Sequence, residues 1–176
     1  MSSCIEHYRE YGEHDGDDRL VGTQARSLAE RTSSATDVLD RDGIRAALGP
    51  LRWSVTVDEP CSLPIDGPER GAMRRVLAQI PRLTITELPE SAMCCAGAGT
   101  YFHREPERSE SILRRKFDNI RATGADVVVT QNVSCLLQLR AGAKRYAPEV
   151  RVLHLMQVLD ESITVAQRRR AVLAEA

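Results

Sequence analysis

Hydrophobic and polar positions change period several times along this chain, and most regularly after residue 52. Ser54-Val-Thr-Val57 is a β-branched run stopped by Pro60-Cys61, which predicts a strand. Met73, Val76, Leu77 and Ile80 then recur at i, i+3, i+4 and i+7, predicting a helix with Pro68 in its first turn. Leu83–Leu88 predicts a second strand, closed by Pro89. Pro106 opens a helix that turns Leu113, Phe117 and Ile120 to the core and stops at Gly124. Asp126-Val-Val-Val-Thr130 is apolar throughout, as a strand buried on both faces should be. A leucine-rich helix from Cys135, a short strand at Val150–His154, a helix over Leu155–Ile163 and a charged tail follow. Strand–helix alternation repeated four times predicts an α/β domain with a parallel sheet and right-handed crossovers.

The first fifty residues read differently. Residues 1–12 suggest a loop and a short helix, followed by a polar break over Glu13–Asp18. Val21, Ala25, Leu28, Thr32, Ala35 and Leu39 recur at spacings of four and three, predicting one long helix over residues 18–40. Asp17 or Asp18 would be its N-cap, and Gly43 and Gly49-Pro50 punctuate a linker. The expected divisions are thus 1–50, 51–163 and a tail of 164–176. With 24 basic against 25 acidic residues the net charge is −1, which points to neither a nucleic acid nor an anionic membrane as partner. No apolar run reaches the ~20 residues of a membrane span, and the N-terminus has no signal pattern. A cytoplasmic location is the expectation, and in that setting five cysteines suggest metal or redox chemistry rather than disulfides.

Placement of those cysteines carries the functional reading. In open parallel sheets, sites form outside the carboxyl ends of the strands. Cys61 follows the first predicted strand, Cys94 and Cys95 the second, and Cys135 the third. Adjacent thiols diverge on any regular element. Cys94-Cys95-Ala96-Gly97-Ala98-Gly99-Thr100-Tyr101 therefore requires an irregular backbone, which Gly97 and Gly99 permit. Taken alone, the double cysteine also fits a buried loop with two small apolar residues. Four convergent thiolates suit a soft centre, either an iron–sulfur cluster or zinc. Zinc sites favour C-x2–4-C pairs, which this chain lacks, and a vicinal Cys94–Cys95 disulfide would be strained. His103 and His154 are further candidates, each more simply read as a hydrogen-bonded histidine. Asp58-Glu59 sits where it could tune charge, Arg168-Arg169-Arg170 reads as solvated tail, and no phosphate-binding glycine loop is present.

The pattern Cys61, 32 residues, Cys94-Cys95, 36 residues, Asn132-Val-Ser-Cys135 resembles the cysteine-rich "CCG" domain found in heterodisulfide reductase. It is more similar still to the iron–sulfur subunits of glycolate oxidase and lactate-utilisation enzymes. E-L-P-E before the double cysteine, A-G-T-Y after it, A-T-G-A-D-V-V and the C-L-L-Q-L-R run from Cys135 extend the likeness over residues 52–163. Ala96 stands where glycine is usual, Ser62 where a histidine is common, and Val133-Ser134 where Pro-Gly is. The resemblance implies a Rossmann-like CCG domain behind a long N-terminal helical segment. It implies an iron–sulfur cluster, with the 4Fe-4S type expected, ligated by Cys61, Cys94, Cys95 and Cys135 and lined by Asn132. It also implies a non-catalytic electron-transfer component of a glycolate- or lactate-oxidising complex, receiving electrons from a flavoprotein partner. Such subunits carry two repeats behind a ferredoxin-like segment, so the chain reads as a truncated C-terminal half. Cys4 would be the remnant of a first repeat, and the helix of 18–40 the connection between repeats. Self-association, or a separately encoded first repeat, would cover that helix, and contact with a membrane would come only through partners. Two other classes remain open: a cluster-free interaction domain, and a metal-free thiol-redox protein using the vicinal cysteines.

Overall fold

The computed structural model describes residues 2–13, 19–64, 67 and 69–174; the expected capping Asp17 or Asp18 and the first-turn Pro68 lie outside them. Four strands form one all-parallel sheet in the order β2-β1-β3-β4, with β1 at Ser54–Asp58, β2 at Thr84–Thr86, β3 at Val127–Thr130 and β4 at Arg151–His154. The predicted α/β parallel sheet is therefore the observed one. Val127, Val128 and Val129 are 0% exposed, and each buried valine contributes about 1.5–3 kcal/mol. Their alternation serves two cores. Val127 and Val129 join Val55, Val57, Met73, Val76 and Leu155 on one face, under α4 (Ala72–Leu77) and α8 (Leu155–Ala174). Val128 joins Leu113, Phe117, Ile120, Leu136 and Leu139 on the other, under α6 (Pro106–Thr123) and α7 (Val133–Tyr146).

Two segments differ from the sequence reading. The long helix is two helices, α2 (Arg19–Arg31) and α3 (Ala35–Asp42), behind α1 (Ser2–Glu10) and a 3-10 turn at Tyr11–Glu13. The break has a cause: Ser34 accepts from Asp37 N–H and Asp37 accepts from Ser34 N–H, a capping box that starts a new helix. Because the helix restarts, the six-residue stripe does not form one face. Val21 and Leu28 are exposed, whereas Leu39 packs beside the β1–β3 core. At the other end the charged tail is helical. Arginine and alanine are good helix formers, and α8 continues through Arg168-Arg169-Arg170 to Ala174. A short α5 (Tyr101–Arg104) precedes α6.

Candidate metal centre

Cys61 lies three residues beyond β1, Cys94 and Cys95 in the loop after β2, and Cys135 in the first turn of α7, directly after β3. All four line one pocket of about 190 Å3, together with Pro60, Ser62, Ala98, Gly99, Asn132 and Ser134. On the same measure one water needs only ~10–15 Å3. The sulfurs run in a chain. Cys61 and Cys94 stand close enough to perturb one another, as do Cys94 and Cys95, and Cys95 Sγ approaches Cys135 Sγ to 2.9 Å. The chain descends from the exposed Cys61 through half-buried Cys94 to buried Cys95 and Cys135. Cys4 is exposed on α1 and has no place in this pocket.

Backbone strain makes the two adjacent thiols converge. Glu90 (φ 55°) and Ala96 (φ 61°) are both left-handed and bracket the double cysteine. A non-glycine residue there costs about 1–2 kcal/mol, so surrounding bonds must hold it. Helix α6 supplies them along one face. Asn119 Nδ2 donates to Pro89 O (3.1 Å) and to the Glu90 carboxylate, which Arg115 also grips. Lys116 Nζ donates to Ser91 O at 3.1 Å, and Ser109 Oγ to Ala96 O at 3.1 Å. Gly97 is required for a different reason. A Cβ there would lie 2.6 Å from Gln138 Cβ and 3.2 Å from Ser134 O, so its absence lets the loop rest directly on α7. Gly99 takes the positive φ (53°) that the loop needs next.

Crowding controls the chemistry of the thiols. Cys95 is held up to about 12, first by its hydrogen bond to Cys135 and then by burial. Cys94 is pushed up further, by the neighbouring Cys95 thiol and by burial, and burial likewise raises Cys61. Opposing this, the Ala96 N–H donates to Cys94 Sγ at 3.2 Å and the Gly97 N–H to Cys95. Four thiols this close ionise together only around a compensating cation. The donor set therefore fits a thiophilic, positively charged centre that fills the pocket. Among the described residues no group of three His, Cys, Asp or Glu side chains could hold a single metal ion.

Of the remaining sequence candidates, Asn132 lines this pocket and the others do not. Asn132 is 5% exposed and N-caps α7, its Oδ1 accepting from Ser134 N–H at 2.9 Å. It therefore aims the turn that carries Cys135. His154 Nδ1 accepts from Met156 N–H (3.2 Å), so Nε2 donates to Gln131 O (3.0 Å), tying the end of β4 to the loop after β3. His103 is exposed and stacks on Phe102. Asp58 and Glu59 are not at a solvated strand end: they are 1% and 7% exposed. Glu59 accepts from Arg70, Arg74 and Gly71 N–H, and Asp58 from Lys116. Lys116 itself escapes sequence reasoning. It occupies a core position of the Leu113–Phe117–Ile120 stripe, where its spacing alone marked it.

Fold and site together are those of a cysteine-rich domain, and residues 55–140 match the family model described as CCG, Cysteine-rich domain. Its similarity to whole proteins runs further. It is 28% identical over 162 residues to Lactate utilization protein A of Bacillus cytotoxicus, covering 90% of this chain and 66% of that protein. It is 27% identical over 159 residues to the protein of the same name from Bacillus subtilis, covering 90% of this chain and 67% of that one. A third, from Bacillus cereus, is 28% identical over 162 residues, with 90% and 66% covered. The chain thus spans about two thirds of the length of these relatives.

Proposed function

We propose that this chain is the cluster-holding part of an iron–sulfur electron-transfer subunit in 2-hydroxy-acid oxidation, with lactate the first substrate to test and glycolate the second. The observation that carries the reading is the gathering of Cys61, Cys94, Cys95 and Cys135, from three successive strand ends, around one 190 Å3 pocket. The names of the relatives supply the metabolic context. An iron–sulfur cluster, when bound, supplies one-electron transfer, and the 4Fe-4S type suits four thiolates. Thiolates of the four cysteines would hold it. The Ala96 and Gly97 amides, which donate to sulfur, would set its potential. The pocket mouth at Cys61 faces solvent, so a flavoprotein partner would deliver electrons there, in the cytoplasm or at a membrane reached through partners. No helix among the described residues is long and apolar enough to cross a membrane.

The test is anaerobic purification and reconstitution followed by iron and acid-labile sulfide analysis. Several irons and sulfides per chain are expected, lost on substitution of any one of the four cysteines by serine and kept in Cys4→Ser. A chain that takes up no iron overturns the reading. The 2.9 Å approach of Cys95 to Cys135 supports one rival, metal-free dithiol chemistry, at that pair as well as at the vicinal cysteines. Thiol titration before and after mild oxidation separates the two: a reversible loss of two thiols in an iron-free protein would support the rival.

A further inference from the structure

Lys116 is fully buried and its partners are specific. Nζ donates to Asp58 Oδ1 at 2.6 Å and to Ser91 O at 3.1 Å, and both side chains of the ion pair are 1% exposed. Asp58 ends β1, three residues before Cys61, and Ser91 precedes Cys94 by three. The Glu59 N–H donates to the same Ser91 oxygen at 3.2 Å. One ammonium on α6 thus joins the two loops whose Cys61 and Cys94 line the same pocket. Stability alone does not account for it. A buried ion pair is often no more stabilising than apolar residues of similar volume, and Leu113, Phe117 and Ile120 already make this face of α6 apolar. What leucine or methionine could not provide is a directional bond to each loop.

Resting on the cluster-holding reading of the four thiols, we infer that Lys116 is a positioning residue of the site: by clamping Asp58 to Ser91 it sets Cys61 opposite Cys94. Cys95 and Cys135 are positioned by other means. Ser109 holds Ala96 O, and Gln138 Nε2 reaches Ser109 Oγ at 3.4 Å, linking that end of the loop to α7. Loss of Lys116 should accordingly disturb one half of the thiol chain and spare the other.

The experiment uses the full-length, reduced, metal-free chain and a short bis-alkylating reagent, dibromobimane, with bridged pairs mapped by peptide mass spectrometry. Wild type is expected to give both Cys61–Cys94 and Cys95–Cys135 bridges. Lys116→Met leaves Asp58 buried without its partner and can unfold, so Lys116→Met/Asp58→Asn is measured beside it, with cooperative melting as the check on folding. In the folded double variant the Cys61–Cys94 bridge should fall about tenfold or more, the equivalent of one charged hydrogen bond lost. The Cys95–Cys135 bridge should stay within about twofold, since its supports are untouched. Equal loss of both bridges would mean a merely structural role, and an unchanged Cys61–Cys94 bridge in any folded variant would likewise overturn the inference. Iron analysis on the same proteins keeps the two readings apart. Wild type with the expected bridges but no iron would defeat the cluster reading and leave the clamp standing. Iron uptake with unchanged bridging in the double variant would do the reverse.

Discussion

Replacing Gly97 by alanine is the sharpest test of how the double-cysteine loop is seated. The added Cβ would stand 2.6 Å from Gln138 Cβ, 3.1 Å from Gln138 Cγ and 3.2 Å from Ser134 O. Carbon atoms pack at ~3.5–4.0 Å, so loop and helix must separate by roughly 1 Å. Gln138 Cβ is fixed to the α7 backbone and cannot swing aside. Overpacking of this kind costs about 1–3 kcal/mol, and the lower backbone entropy of alanine in the unfolded chain returns about 0.4–1. The net loss of about 1–2 kcal/mol lowers the melting temperature by roughly 2–8 °C for a domain of this size. The chemical loss should be much larger. Metal–ligand distances tolerate only ~0.2 Å, and the loop that moves carries Cys94 and Cys95 while α7 carries Cys135. Gly97→Ala should therefore fold and yet lose most of its iron after anaerobic reconstitution. Gly99→Ala is the control. Nothing lies within 4 Å of a Cβ there, and only the positive φ resists it, a strain of about 1–2 kcal/mol. That variant should keep its iron. If Gly97→Ala holds the wild-type complement of iron and sulfide with unchanged melting, the close seating of the loop on α7 is not what positions the thiols.

Three further outcomes are expected. Asn132→Ala removes the cap of α7 and should lower stability by about 1 kcal/mol; iron should be retained with a shifted reduction potential, and loss of all iron would mean that Asn132 does more than cap. In the metal-free chain Cys95, held at about 12, should be only about one part in ten thousand thiolate at pH 8, so its iodoacetamide rate should rise roughly tenfold per pH unit up to that value. Since its folded value lies above the ordinary ~8.5, the stabilisation is complete below that pH and is lost progressively as pH rises toward 12, which thermal melts of the metal-free chain at pH 8 and pH 10 will register. Finally, Val21 and Leu28 remain exposed on α2, so the chain should self-associate in a light-scattering dilution series, and polar substitutions there should abolish association without loss of iron.

Much of this was written locally, and the failures have local causes too. Val127–Val129 declared a doubly buried strand because nothing polar interrupts it, and the strand ends then fixed where the cysteines would meet. What periodicity hid was the break at Thr32–Ser34. A stripe at spacings of three and four persists across a helix restart, yet Ser34-Ala-Thr-Asp37 carried a capping-box signal that outweighs it. The tail failed in the opposite direction: charge suggested solvation, and solvated it is, but as a helix. Ala96 and Glu90 show the limit more plainly. Neither residue favours a left-handed backbone, and only the bonds from Asn119, Arg115 and Ser109, all distant in sequence, make one tolerable. Lys116 was hidden by its type, since lysine is almost never fully buried unless paired, and its partner is 58 residues away.

These departures from local preference are not spread evenly. Asp58, Glu59, Gln131, Asn132 and Lys116, all 7% exposed or less, lie at or against the carboxyl ends of β1 and β3, beside the strained Glu90 and Ala96. Gln131 Oε1 is buried there without a hydrogen-bond partner, at a cost of about 1–3 kcal/mol. At the amino ends of the same strands, polar groups are exposed and paired, as where Asp126 accepts from Ser54 N–H at 3.0 Å. The interiors between are apolar except for Thr56, whose Oγ1 donates to Thr86 O at 2.8 Å. A sheet selected for stability alone would carry valine or leucine at both ends of its core. The charged and amide side chains buried at the thiol-bearing edge are instead what is needed to hold irregular loops in a fixed relation, because strand register stops short of them. Stabilising substitutions at that edge should thus come with loosened thiol geometry and reduced iron, whereas equally stabilising ones at the amino edge or on α2 should not. Iron content at matched gains in melting temperature decides the point, and equal iron in both sets would remove the reason for keeping these polar residues.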